Sequence, residues 1–374
     1  MIAEKLLNAY IDVNIVLLAA AAMWFCLRKL ITRSPWRIAF LTQLQLLYTV
    51  IAMVMLAPLI VFGFESFQRN GYLAAPSGLS FSDFLVAQYL HGNIAMAPTK
   101  FEHLLTIRSE VVRDFATLSS LFSQIIVAML AIGGVLVALR NLRNIWQIRQ
   151  MIHRSYVLRR VGRVDVRFTE ETRVPFSTRG FRRFYIVLPT VLLAHADDVR
   201  IAVTHEIQHV RQRDLGWEIG MELLRPIFFW NPAFVFCKRE VERMRELACD
   251  QQILGRRILG VRDYCECLLR VCKTGLGTAG CTQVIAPTVP FVHLDHRAKA
   301  SQSAPFLKQR ILSILDRKAI RGSRYLATGL TVLVAALVVS TTLALRPVND
   351  WSHDRLMLST IVNLERLNSR TIIN

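Results

Sequence analysis

Four long apolar runs constrain this chain more than any other feature. They lie at about 11–31 ("IDVNIVLLAAAAMWFCLRKLI"), 38–63 ("IAFLTQLQLLYTVIAMVMLAPLIVFG"), 116–139 and 325–345. A helix needs about 20 residues to cross the hydrocarbon of a bilayer, and each run is long enough. The fourth, "YLATGLTVLVAALVVSTTLAL", carries no charge over its 21 residues. With a mean hydropathy of +0.36 and 53% hydrophobic residues, the composition is that of a membrane protein rather than of two soluble domains.

Charge placement gives an expected topology. The flank of the first run, "MIAEKLLNAYID", is slightly acidic, and Arg28 and Lys29 come after the apolar residues. That order argues against a cleaved signal peptide and for a retained helix with its N-terminus outside. Arg28, Lys29, Arg33 and Arg37 fill the next short loop without an acid, the segment 64–115 is nearly neutral, and 140–163 holds seven arginines and no acid. The positive-inside rule then places 28–37 and 140–324 in the cytoplasm, and both termini and 64–115 outside. Much of the net charge of +19 sits beside membrane ends, where it suits anionic lipid headgroups. It does not form a nucleic-acid reader motif, so no direct nucleic-acid partner is expected.

Seven cysteines is an odd number. Cys26 falls in the first apolar run and the others in the cytoplasmic segment, so no disulfide framework is expected. "YCECLLRVC" brings Cys265, Cys267 and Cys272 close together, but no matching CxxC pair exists. They read as small apolar helix residues.

Within the cytoplasmic segment, 141–160 reads as a basic amphipathic helix, and "VDVRF" (164–168) and "RFYIVLP" (183–189) as strands separated by turns at Pro175 and Gly180. A helix is expected over 197–214, capped by Asp197 or Asp198. The apolar stretch 221–237 is broken by Pro226, Asn231 and Pro232, and reads as a helix packed on the membrane surface or the transmembrane bundle. Further helices are expected at 238–254 and 262–273, then a flexible Gly/Pro/Ser/Thr-rich loop over 275–305. "FLKQRILSIL" leads back to the fourth apolar run.

The helix at 197–214 carries "VTHEIQHVRQRD" (203–214). Positions i and i+4 share a helix face, so His205 and His209 can offer two imidazoles to one metal ion. Glu206 is placed to take a proton from an activated water. The pentapeptide alone also occurs by chance, as two solvated histidines. A catalytic zinc needs a third protein ligand, and Glu218, Glu222, Glu240, Glu242 and Glu246 all qualify by type. Glu246 stands out because Asp250 lies one turn later and a metal-bound histidine commonly donates to a carboxylate; a solvated helix face is the equal alternative. Arg200, Arg211, Arg213 and Asp214 around the motif argue against an intramembrane protease.

"HEIQHVRQRD", "FFWNPAFVF", "RELACDQQIL" and "QRILSIL", in that order and with "YIVLP" upstream, resemble the membrane metallopeptidases of the beta-lactam-resistance sensor-transducers, the BlaR/MecR type. The resemblance covers about 140–345. It implies an α-helical integral membrane protein with four transmembrane helices and a cytoplasmic α+β gluzincin-type zinc metalloprotease domain. The division expected is 1–140 for three membrane helices with the outer loop 64–115, 141–324 for the protease, 325–345 for the fourth helix and 346–374 for a short outer tail.

It further implies Zn2+ held by His205, His209 and Glu246, with Glu206 as catalytic base, Asp250 beside the ligands, and Asp214 as a structural acid. The strand 183–189 would bind substrate at its edge, near Arg179, Arg182 and Arg183. Antibiotic sensors of this type carry a penicillin-binding domain after the last membrane helix; only 346–374 follow here, without an SxxK motif. Direct beta-lactam sensing is therefore not expected.

The reading favoured is a zinc endopeptidase cutting a cytoplasmic or membrane-proximal protein in signal transduction, with a transcriptional repressor as substrate by resemblance. Self-cleavage in 275–305 is a further expectation. The bilayer, a separate sensor protein and a second copy in a homodimer are the partners it allows. A membrane quality-control protease and a non-catalytic zinc-binding scaffold are the alternatives.

Overall fold

The computed structural model describes residues 2–32, 39–69, 86, 88–91, 93–94, 96–256, 259–276, 288–290, 303–316, 324–344 and 357–365. By contacts it divides into two units, one of Met1–Cys26, Leu46–Leu130 and Arg324–Asn374, the other of Leu27–Gln45 and Ala131–Ser323.

The apolar runs are helices. α1 (Ile2–Thr32), α2 (Phe40–Arg69) and α4 (Leu121–Arg154) contain the three stretches that, among the described residues, are long and apolar enough to cross a membrane: Ala3–Leu30, Phe40–Gly63 and Leu121–Arg154. α3 (Pro98–Thr117) precedes α4. The third run begins at 121 rather than 116 because the chain turns first. Leu118 takes a left-handed conformation at φ 53°, and the Asp114 carboxylate accepts from Ser120 N at 3.1 Å and from Ser120 Oγ at 2.7 Å. Ser120 then caps the new helix, its Oγ accepting from Ser123 N at 3.1 Å, as an N-cap side chain does. α10 (Arg324–Ala344) covers the fourth run, with a described apolar stretch, Thr331–Thr341, shorter than the other three. In the same unit Val86 and Phe101 pack with Leu358 and Val362, and Thr99 N donates to Glu365 at 3.0 Å. The segment before α4 and the helical stretch 357–365 thus share a small core.

The second unit is built on a five-stranded sheet in the order β1-β2-β4-β3-β5. The strands are β1 (Tyr156–Val161), β2 (Val164–Thr169), β3 (Phe176–Arg179), β4 (Phe184–Pro189) and β5 (Val289–Pro290). The expected helix over 141–160 therefore ends at Arg154, and its last residues form β1 instead, where β-branched and aromatic residues favour a strand. The expectation of an edge strand at 183–189 is overturned: β4 lies between β2, which it pairs in parallel, and β3, which it pairs antiparallel. Ile186, Val187 and Leu188 are all fully buried. A strand covered on both faces reads as a continuous apolar run, as "YIVL" does, and each such side chain contributes about 1.5–3 kcal/mol on burial.

One sheet face joins Val166, Phe168, Ile186 and Leu188 to Ile201, Ala202, Ile253, Tyr264, Leu268 and Ile314 from the helices. The other places Phe176 and Val187 on Met151 at the end of α4. The helices are α5 (Ala196–Gln212), α6 (Asp214–Phe228), α7 (Pro232–Gly255), α8 (Val261–Leu276) and α9 (Ser303–Leu315). Neither Asp197 nor Asp198 caps α5; His195 holds that position without a side-chain cap. Asp198 instead accepts two hydrogen bonds from Arg270 at 2.9 and 2.7 Å. Pro232 does not break a helix but opens α7, where its missing N–H costs nothing, and Asn231 caps it by accepting from Ala233 N at 2.8 Å. The six described cysteines have free thiols, and Cys265, Cys267 and Cys272 pack in or against the core. The loop expected over 275–305 lies mostly outside the described residues.

Candidate metal centre

α5 turns one face inward: Asp198, Ile201, Ala202, His205, Glu206, Gln208 and His209 are all buried. The spacing i, i+3, i+4, i+7, i+8 is that of a helix stripe facing a core, and the motif residues sit on it. α7 is buried around most of its circumference and passes alongside, bringing Glu246, Cys249 and Asp250 to the same place.

The two imidazoles face each other, with His209 Nε2 and His205 Nε2 3.0 Å apart. Glu246 Oε2 lies 3.4 Å from His205 Nε2, and Glu246 Oε1 3.6 Å from His209 Nε2. The remaining ring nitrogens fix the tautomers. His209 Nδ1 donates to Asp214 Oδ2 at 2.8 Å. Tyr264 Oη gives its proton to Asp250 Oδ1 at 2.6 Å, so His205 Nδ1 at 2.8 Å is the donor to that hydroxyl. Both Nε2 atoms then point lone pairs at one spot, which only something positive between them satisfies, a proton or a metal ion. Ligand atoms around a tetrahedral zinc at about 2.0–2.1 Å are about 3.3–3.4 Å apart, and the three separations bracket that value. The residues fit the ion.

Cys249 is the competing ligand, since its sulfur and the two histidines also form a group within 4.8 Å. Its Sγ stands 3.6 Å from His205 Nδ1 and 3.7 Å from the His205 carbonyl. That is the rear of the ring, and burial pushes the thiol well above its ordinary range. Glu246 is on the Nε2 side.

Burial holds His205 down at about 4, against the opposing effect of Glu246. Burial would lower His209 too, but Glu246 and then Asp214 raise it. Burial alone would raise Glu246, yet Arg310 and the histidines hold it well below the usual carboxylate range. Glu206 is pushed up to about 7 by burial, His209 being the first influence against it. Both Glu206 oxygens lack a hydrogen-bond partner among the described residues. Ser177 Oγ on β3 lies toward that carboxylate and favours its charged form, but closes no hydrogen bond to it.

Of the five glutamates open by type, only Glu246 reaches the histidines. Glu218 is bound to Arg245 at 2.8 Å and Lys238 at 3.2 Å. Glu222 pairs with Lys238 and with Arg225. Glu242 pairs with Lys238 at 3.3 Å, and Glu240 with Arg28 at 3.0 Å. Asp250 stands 3.7 Å from His205 Nδ1, so Tyr264 mediates a contact that the helix spacing suggested would be direct. Asp214, expected to be structural, meets His209 itself. It can do so because Arg213 adopts φ 62°, letting α6 start immediately after α5.

Two residues were not singled out by the sequence. Tyr264 comes from α8. Arg310, from α9, is buried and grips Asp250 with Nε and Nη2, both at 2.8 Å, and Glu246 with Nη1 at 3.1 Å. The signal for Arg310 was present in "QRILSIL", a lone arginine in an apolar motif. Nothing local marked Tyr264.

The chain matches the family described as BlaR1 peptidase M56 over residues 5–291. A stretch of 78 residues is 28% identical to the regulatory protein BlaR1 of Bacillus licheniformis, covering 21% of this chain and 13% of that protein. A stretch of 77 residues is 32% identical to the methicillin resistance mecR1 protein of Staphylococcus aureus, covering 20% of this chain and 13% of that protein; the Staphylococcus epidermidis protein of the same description matches equally. The matched segment thus spans 13% of the length of these curated relatives.

Proposed function

The chain belongs to the BlaR1 peptidase M56 family, and from that premise we propose that it is a zinc endopeptidase of a membrane, cutting protein segments close to the bilayer. The observation that carries this is the convergence of His205 Nε2, His209 Nε2 and Glu246 beside the buried, unpartnered carboxylate of Glu206. Zinc held there by His205, His209 and Glu246 would supply Lewis-acid polarisation of a water and of a peptide carbonyl. Asp214 and Tyr264 keep each Nδ1 protonated and so each Nε2 free to ligate. Glu206 accepts the proton of the attacking water and returns it to the departing amine. Arg310 and Arg245 offset the negative charge collected at Glu246, Asp250 and Glu218.

An extended substrate aligns along β3, the strand that places Ser177 beside Glu206. Val289 and Pro290 pair with Ser177 and Phe176 there, so a substrate strand must displace or extend that pairing. α10 serves as a fourth span, the domain of 141–324 is a gluzincin-type fold in the cytoplasm, and 1–140 and 346–374 are the membrane and outer portions. A transcriptional repressor is the substrate class, and a separate sensor protein the source of the signal.

The test is the full chain in detergent, wild type against Glu206→Gln, measured for zinc content and for cleavage of an unfolded casein. Zinc in both with cleavage only in the wild type supports the reading. Zinc in neither sinks the ligand assignment, and zinc in both with cleavage in neither favours a zinc-binding scaffold.

A further inference from the structure

The elbow between α6 and α7 is not used by the chemistry, yet it is apolar, exposed and close to a candidate span. Leu223 (76% exposed) and Ile227 (50%) lie one turn apart on α6, and Trp230 (45%) follows in the turn that ends it. Val235 (38%) continues the patch on the first turns of α7. An apolar stripe of this kind on a soluble surface marks a site that something covers.

What covers it is indicated by α4. A Cβ on Gly133 would collide with the Phe229 ring, and one on Gly134 would stand 3.0 Å from the Pro226 carbonyl oxygen. The elbow therefore rests on α4 in the middle of its charge-free run, Leu121–Leu139. The exposed side of α4 beside it is Met129, Ile132, Val135, Leu136 and Leu139. Gly133 lies seven residues before Arg140, the first charge, which at about 1.5 Å per residue is about 10 Å of helix. A single leaflet's hydrocarbon is about 15 Å deep.

The tip is also built for a place without water. Backbone groups at membrane depth must be satisfied from within. Asn231 is buried; its N–H donates to Phe228 O at 3.0 Å, and its side chain accepts from Ala233 N. Pro232 has no N–H to satisfy. The charges return at the level where the apolar run of α4 ends: Asn141 Nδ2 donates to Glu222 O at 2.9 Å, and Arg225 and Lys238 pair with Glu222.

We propose that the apolar side of the α6–α7 elbow, Leu223, Ile227, Trp230 and Val235, enters the hydrocarbon of the adjacent leaflet as a re-entrant wedge, its occupant being lipid acyl chains, while Arg225 reaches back to Glu222. This rests on reading α4 as a membrane span. It has a consequence for the substrate. Asp214, which holds His209, is eight residues from Glu222, so it lies at most about 12 Å from the membrane boundary. The bond to be cut is thus held close to the leaflet, and soluble proteins are cut only where a segment reaches the membrane surface.

The experiment places the full chain in nanodiscs whose phosphatidylcholine carries a diazirine on the acyl chain, followed by illumination and peptide mapping. Lipid adducts on 214–238 and on 114–140, with none on the sheet peptide 184–200, are expected. In parallel, Leu223→Cys is expected to resist a membrane-impermeant maleimide in nanodiscs and to react after denaturation, whereas Leu193→Cys reacts in both. Adducts on 114–140 with none on 214–238 overturn the wedge and leave the span standing. Protection of Leu223→Cys from the maleimide with no lipid adduct on 214–238 overturns it in favour of a protein occupant. No adducts on either peptide remove the membrane reading itself, and the wedge with it.

Discussion

Replacing Tyr264 by Phe tests how the proposed ligand His205 is held. The ring is buried and the substitution keeps its volume, so the loss is confined to one hydroxyl. That hydroxyl accepts from His205 Nδ1 at 2.8 Å and donates to Asp250 at 2.6 Å. Asp250 retains two hydrogen bonds from Arg310, so its charge stays compensated. The Nδ1–H of His205 is left with Asp250 Oδ1 at 3.7 Å, too far for a hydrogen bond, and with the weak acceptor Cys249 Sγ at 3.6 Å. A buried donor without its partner costs about 1–3 kcal/mol, and loss of such an outer contact weakens a metal site by about 10–100-fold. The two figures agree, since tenfold is about 1.4 kcal/mol. Zinc affinity measured by chelator competition on the full chain in detergent is therefore expected to fall by about 10–100-fold, with part of the casein cleavage recovered at saturating zinc. An unchanged zinc affinity refutes the assignment of Tyr264 as the group that fixes the His205 tautomer.

Arg310→Met removes the cation shared by Asp250 and Glu246; leaving buried carboxylates uncompensated costs about 3–5 kcal/mol, read as a lower Tm, and zinc is expected to restore part of it by neutralising Glu246. Glu218 gives an acid limit: burial alone would raise it, but Lys238 and Arg245 hold it at about 2, against 4.5 for the free group. The carboxylate therefore stabilises the fold fully above about pH 5 and progressively less as pH falls toward 2. The contribution is on the order of 3 kcal/mol. Glu218→Gln should be less stable than the wild type at pH 7, with the gap closing toward pH 3 in thermal unfolding.

Much of this was legible in the residues. Hydropathy located α1, α2 and α4 because the bilayer's thickness sets a length that sequence alone can meet. The i, i+4 periodicity put His205 and His209 on one face, and placed Glu246 and Asp250 together on α7. What failed was order in space. β4 was expected at an edge, although its unbroken apolar run carried the mark of an interior strand. Pro232 reads as an interruption because a proline that opens a helix and one that stops it look alike without the Asn231 cap. Tyr264 and Arg310 reach the site from α8 and α9, and no local spacing connects α5 to either.

That dispersal has a bearing on biosynthesis. Arg310 is added 105 residues after His205 (310 − 205), which at about 5–20 residues per second is about 5–20 s of translation. Until α9 arrives, Asp250 and Glu246 lack the guanidinium that makes their burial tolerable. Until then His205, His209 and Glu206 lack the closed surroundings that α9 completes. The cluster closes only when α9, the last helix before α10, has been made, so the proposed proteolytic competence comes late in synthesis.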